Sequence, residues 1–151
     1  MIYRKPTFAD VIAMQELINA NAEQGLMLPR SRNAIYETLR DFTLAEEDGK
    51  IVGVGALHVI WDEMAEVRAL AVLPGLQKTG IGRNIVNILL EDAKFLGVKQ
   101  VFALTYKPEF FAKCGFTEAA KDDLPHKVWK ECINCPKFPN CDETAMILNL
   151  D

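Results

Sequence analysis

The segment Leu70-Ala71-Val72-Leu73-Pro74-Gly75-Leu76-Gln77-Lys78-Thr79-Gly80-Ile81-Gly82-Arg83 is an apolar strand running through a glycine-containing turn into a helix. Such a junction places backbone N–H groups that lack intrahelical partners at the positive end of a helix dipole, where they bind phosphate oxygens directly. Gly80 and Gly82 remove Cβ atoms that would obstruct close approach, and Lys78 and Arg83 add local positive charge. A Gly-x-Gly at a helix start also serves ordinary caps and tight packing, so the segment alone does not decide its use. It is not a Walker loop, because no Lys-Ser or Lys-Thr follows the glycines, and it lacks the third glycine of the dinucleotide fingerprint.

The rest of the chain reads as strands and helices that build a sheet around this junction. Residues 2 to 5 are a short strand candidate. Thr7 and Asp10 then make a capping box before a helix with Val11, Ile12, Met14, Leu17 and Ile18 at helical spacing, ended by Gly25. Ser31 is an N-cap candidate for a second helix with apolar positions Ile35, Leu39 and Phe42. Strands are expected over Phe42 to Glu46 and Ile51 to Ile60, joined at the hairpin signal Asp48-Gly49, and over Ala65 to Leu73. The helix opened by Gly80 runs to Leu96 with Gly97 as C-cap. Val98 to Thr105 is a buried strand, Pro108 to Lys113 a short helix and Thr144 to Leu150 a last strand. This order predicts one α+β domain over residues 1–151.

With 151 residues, half of them hydrophobic, such a domain buries a sufficient core without staples. The formal net charge of −4 and pI near 5.3 argue against nucleic acid or an anionic membrane as partner, so a polyanionic ligand must be held locally. No apolar run reaches a membrane span, and Arg4, Lys5 and Asp10 interrupt anything resembling a secretory segment. A cytoplasmic location is expected; a homodimer is left open.

Gln77, Gly80 and Gly82 match the pyrophosphate motif Gln/Arg-x-x-Gly-x-Gly/Ala of the GNAT acetyltransferases, preceded as there by a strand ending Leu-Ala-Val-x-Pro. Phe110-Phe111-Ala112-Lys113-Cys114-Gly115-Phe116 resembles the family's later aromatic-x-Lys-x-Gly-Phe segment, so residues 42 to 118 are covered. The resemblance implies a mixed, mostly antiparallel sheet flanked by helices, with two strands splayed to form an acetyl-CoA slot. It implies that Leu70, Ala71 and Val72 bind the thioester and pantetheine arm. Gln77, Lys78, Thr79, Gly80, Ile81, Gly82 and Arg83 would hold the pyrophosphate, with Phe111 beside the cofactor.

Amide formation needs a neutral amine, so a base or a water relay must take its proton. Glu66 matches a glutamate used as general base by amino-acid acetyltransferases of this superfamily; Glu63 is the alternative, and either carboxylate also suits a solvated strand edge. Many members carry a tyrosine as general acid where this chain has Phe111, leaving Tyr106 or Thr105 as substitute hydroxyls.

Leu28-Pro29-Arg30-Ser31, Phe42-Thr43-Leu44-Ala45-Glu46, Leu104-Thr105 and Asp123-Leu124-Pro125 extend the likeness to the acetyltransferase domain of N-acetylglutamate synthases, in a short form without the amino-acid-kinase domain. L-glutamate as acceptor and the first step of arginine biosynthesis are then implied, with Arg30 and Ser31 at the substrate and Arg68 or Lys107 as a second carboxylate contact. One departure stands against glutamate. Near the last strand, where long synthases have an arginine and a serine, this chain has Cys141, Asp142 and Glu143. Another amino acid, a small amine, a protein lysine or a non-catalytic acyl-CoA sensor remain alternatives. Cys132, Cys135 and Cys141 invite a zinc reading, but a fourth ligand is not placed by spacing, so reduced loop cysteines are favoured over metal. His58 and His126 read as ordinary polar residues.

Overall fold

The computed structural model describes residues 1–120 and 143–150. Within them a seven-stranded sheet has the order β1-β2-β3-β4-β5-β7-β6. The strands are β1 (Ile2–Arg4), β2 (Phe42–Glu47), β3 (Lys50–Trp61), β4 (Met64–Val72), β5 (Gln100–Thr105), β6 (Thr117–Ala119) and β7 (Thr144–Asn149). Neighbours are antiparallel except β4 and β5, whose parallel pairing requires a crossover. Helix α3 (Ile81–Leu96) supplies it. The other helices are α1 (Val11–Glu23), α2 (Arg32–Glu37) and α4 (Pro108–Lys113).

Period-2 alternation sends β-strand side chains to two separate cores. Phe42, Leu44, Val54, Ala56 and Ala71 pack with Val11, Met14, Leu17 and Ile18 of α1 and Ile35 of α2. Ala45, Val52, Leu57, Ala65 and Val67 pack with Ile81, Ile85, Val86 and Leu89 of α3 and with Phe111. Gly53 and Gly55 let α3 approach on that side: a Cβ at either position would come within 2.8 Å of an isoleucine methyl of α3.

Three local expectations change. The second helix stops at Glu37, and Leu39–Asp41 forms a separate 3-10 turn, so Phe42 opens β2 instead of extending a helical stripe. Thr38 leaves helical geometry with φ −119, its hydroxyl turned back to the Ala34 carbonyl at 2.7 Å. The Thr7 and Asp10 capping box is present, with the Thr7 N–H 2.7 Å from the Asp10 carboxylate, but it closes a 3-10 turn ahead of α1. Strand β6 has no apolar period to announce it, because it is three residues long and mostly exposed at the sheet edge.

Candidate active site

The pairing of β4 with β5 stops at Glu66 opposite Phe102, although β4 continues to Val72 and β5 to Thr105. Each strand stays bonded on its far side, β4 to β3 through Val72 and β5 to β7 through Thr105. The two therefore part like a V with Glu66 at its vertex. Leu73 donates to the Val52 carbonyl at 2.8 Å, so alternation turns the N–H and C=O of Val72 away from β3 and toward the gap. Between the pairs Val54–Ala71 and Ala56–Arg68, β4 carries one more residue than β3, a bulge marked by Ala69 at φ 53. The bulge shifts the phase of the strand. Leu70 and Val72 face the α3 core, whereas Glu66 and Arg68 lie on the α1 side.

At the open end of the gap the chain turns through Lys78 at φ 71 and Gly80 at φ 92 into α3. Asn84 donates to the Gly80 carbonyl at 3.0 Å, the first bond of the helix, so the N–H groups of Ile81, Gly82 and Arg83 lie in its first turn without helical acceptors. Lys78, Thr79, Gly80 and Arg83 are exposed around them, and the Thr79 hydroxyl bonds the Leu76 carbonyl. These donors suit a pyrophosphate. The two glycines differ in their reasons. Gly80 needs its left-handed φ, and a Cβ there would have nothing within 4 Å, while at Gly82 a Cβ would meet the Phe110 ring at 3.3 Å and Val72 at 3.5 Å. Gly82 thus admits an aromatic ring against the helix start as well as sparing the approach of a ligand. Ile81 contributes its side chain to the core.

Phe111 is 5% exposed and makes edge-on contacts with Phe110 and Phe116, with ring centroids 5.2 Å apart in each case. Phe110 is the ring next to Gly82 and Val72. The half-buried Cys114 thiol is raised above its ordinary pKa by burial, with Arg83 pulling it the other way, so it is a thiol at neutral pH.

On the α1 side, Glu66 is 6% exposed and its Oε1 accepts from Arg68 Nε at 2.5 Å. His58 lies opposite Glu66 on β3, and its Nδ1 is 2.7 Å from Asp41 Oδ2. Glu63 sits apart, in the turn before β4, with φ 57 and a 3.6 Å approach to Lys99. Arg30 is held by its backbone against α1: its N–H donates to Asn19 Oδ1 at 3.2 Å and its carbonyl accepts from Gln15 Nε2 at 3.3 Å. Ser31 caps α2, its hydroxyl accepting from Ala34 N–H at 3.1 Å. Thr105 Oγ1 accepts from Lys107 N–H at 2.8 Å ahead of α4, and Tyr106 follows it at the rim. Cys132, Cys135, Cys141, His126 and the Asp123-Leu124-Pro125 segment lie outside the described residues, among which no metal-holding group occurs.

Sequence reasoning passed over Asn21, which is 3% exposed and bonds both Val72 and Gln77. Its signal was a polar residue in register with the stripe Val11, Met14, Leu17 and Ile18.

The Acetyltransferase (GNAT) family matches residues 12–116. The chain belongs to this family. An uncharacterized N-acetyltransferase of Chlorobaculum tepidum is 38% identical over 97% of this chain and 95% of its own length. An amino-acid acetyltransferase of Mycobacterium tuberculosis is 38% identical over 86% of this chain and 76% of its own. Among solved structures, a Mycobacterium tuberculosis protein in complex with CoA superposes with a TM-score of 0.87 at 34% identity, each chain covered in full. The N-acetylglutamate synthase of Neisseria gonorrhoeae, complexed with coenzyme A and N-acetyl-glutamate, gives a TM-score of 0.89 at 28% identity over 99% of this chain and 35% of that one. The seven-stranded open sheet is the GNAT fold, and the chain is a GNAT N-acetyltransferase that uses acetyl-CoA. No helix among the described residues is long and apolar enough to cross a membrane.

Proposed function

We propose that this acetyltransferase acts on the α-amino group of L-glutamate, in the cytoplasm, as the first step of arginine biosynthesis. The observation that carries the reading is the buried Glu66, ion-paired with Arg68 at the vertex of the gap and on the α1 side, the side to which α1 also holds the Arg30 loop. The gap then has two mouths. The α3 start, with the N–H groups of Gln77 to Arg83, and the segment Leu70 to Val72, with the Val72 backbone turned inward, take the pyrophosphate and pantetheine of acetyl-CoA. The α1 side takes the amine. A carboxylate at the vertex accepts the amine proton directly or through one water, and the freed nitrogen forms the C–N bond as the C–S bond breaks. The departing sulfur takes a proton from Tyr106, Thr105 or solvent. Arg30 supplies a guanidinium fork for a substrate carboxylate. Relatives called amino-acid acetyltransferases, and the synthase complexed with N-acetyl-glutamate, support this choice of acceptor.

A screen of free amino acids and small amines with acetyl-CoA, followed by thiol release, tests it: glutamate should give the highest kcat/KM. Turnover of another amine with glutamate inert would retain the acetyltransferase and remove the arginine-pathway assignment.

A further inference from the structure

The buried carboxamide of Asn21 joins α1 to two nearby points of a segment more than fifty residues further along the chain, the end of β4 and the turn ahead of α3. Its Nδ2 donates to the Leu17 carbonyl at 3.1 Å within α1 and to the Val72 carbonyl at 3.0 Å at the end of β4. Its Oδ1 accepts from Gln77 Nε2 at 3.3 Å. The two carbonyls fix the orientation of the group, because only the NH2 end can serve them; the oxygen must then face Gln77, and Gln77 must answer with its own NH2. An amide chain of fixed polarity results, running from α1 through Asn21 to the turn ahead of α3.

We infer that Asn21 is a positioning residue for acetyl-CoA: it sets the placement of the Gln77 turn relative to the backbone of Val72, and so the spacing between the pyrophosphate and pantetheine contacts. The inference rests on the reading of Gln77 to Arg83 as the pyrophosphate cradle. Val72 has its polar groups turned into the gap, where no strand among the described residues aligns them, and its carbonyl is held by Asn21. The hydrogen bonds within the turn are local: Leu76 N–H bonds the Leu73 carbonyl and the Thr79 hydroxyl bonds the Leu76 carbonyl, while Lys78 and Gly80 take positive φ. Without Asn21 the two halves of the cofactor site lose this hydrogen-bonded link and are held by the chain between them and by apolar packing, Val72, Leu73 and Leu76 lying against the cluster that contains Ile81. Part of their ordering would then fall to the ligand, at the expense of its affinity. Asn21 touches no reacting atom in this scheme, so its loss should appear in cofactor binding and not in the chemical step.

The test uses the full chain, with acetyl-CoA and CoA titrated by calorimetry and steady-state kinetics at saturating amine. Asn21→Asp keeps the shape and the oxygen toward Gln77 but puts an oxygen against the Val72 carbonyl; Asn21→Leu removes both links. Each should raise the Kd for CoA and the KM for acetyl-CoA about tenfold or more, with kcat at saturating cofactor changed by less than about threefold. In a Gln77→Ala background, Asn21→Leu should cost less than it does alone, because one link is already gone. Folded Asn21 variants that bind CoA within twofold of wild type overturn the inference, as does a loss confined to kcat or a strictly additive double mutant. Asn21→Asp covers the case in which Asn21→Leu does not fold. If Gln77→Ala and Gly82→Val also leave CoA binding unchanged, the cradle itself is misplaced and both readings fall. If those two variants weaken binding while Asn21 variants do not, the Asn21 inference alone falls.

Discussion

Glu66 and Arg68 form a pair 8% and 11% exposed in their side chains, and the consequences of disturbing it separate chemistry from stability. Glu66→Gln preserves size and an acceptor for Arg68 but has no base to offer. We expect kcat to fall by about 10² or more with the KM for acetyl-CoA unchanged, and partial recovery of rate as rising pH deprotonates the amine itself. Stopped-assay pH profiles of wild type and variant check this; superimposable profiles would move the role to Glu63 or to solvent. Arg30→Ala should lower kcat/KM for glutamate by roughly 10- to 150-fold, the equivalent of about 1.5 to 3 kcal/mol for a charge-assisted bidentate contact. Arg30→Lys should restore only part of the loss. An unchanged kcat/KM with glutamate in Arg30→Ala would remove Arg30 from the acceptor pocket.

Elements place these residues, and two of them have testable supports. Gly55 faces α3, where a Cβ would lie 2.8 Å from Ile85 Cγ2 and 3.1 Å from Leu70 Cδ1. Gly55→Ala should therefore cost about 1 to 3 kcal/mol in denaturant unfolding and, by displacing α3, raise the KM for acetyl-CoA. A variant as stable as wild type would show that the helix yields without penalty. At the other end of the sheet Arg4 bridges Asp10 at 2.8 Å and Glu46 at 2.8 Å, tying β1 to the start of α1 and to β2. The hydrogen bond from Arg4 holds the Asp10 carboxyl down at about 2, below the ordinary 3.8. A depressed carboxyl contributes stability that is complete above the unfolded value and is lost as pH falls from about 4 to about 2. Asp10→Asn should remove about 1 kcal/mol at neutral pH, since Arg4 is a third exposed, and should flatten the stability curve over that window. The helices and long strands were legible because their apolar spacing is strong, and the Asp48-Gly49 hairpin because both residues take positive φ. The end of α2 was not, since Leu39 and Phe42 continue a helical spacing while the Thr38 side chain diverts the backbone. Within the site, the glycine turn and Glu66 stood out by motif and spacing. The contacts of Asn21, of Phe110 and of the His58–Asp41 pair were not legible, because they span 17 to 56 residues of sequence or join packed helices.

Among the described residues the sheet is a wall with one slit, between β4 and β5, and in the proposed function that slit decides the kinetic order. In the proposed scheme donor and acceptor reach it from opposite faces and meet at the vertex, which allows direct transfer within a ternary complex. The competing scheme passes the acetyl group through an enzyme nucleophile. Cys114 is the thiol among the described residues nearest to that role, since it senses Arg83 at the start of α3, but burial raises its pKa and leaves it a poor nucleophile at neutral pH. Initial rates measured at varied acetyl-CoA and varied amine should therefore give intersecting double-reciprocal lines. Enzyme mixed with acetyl-CoA alone should show no added acetyl mass, and Cys114→Ala should keep kcat within about threefold. Parallel lines, or an acetyl group mapped by mass spectrometry to any of Cys114, Cys132, Cys135 or Cys141, would replace direct transfer with a relay. An adduct on Cys132, Cys135 or Cys141 would make the cysteine-rich stretch part of the chemistry.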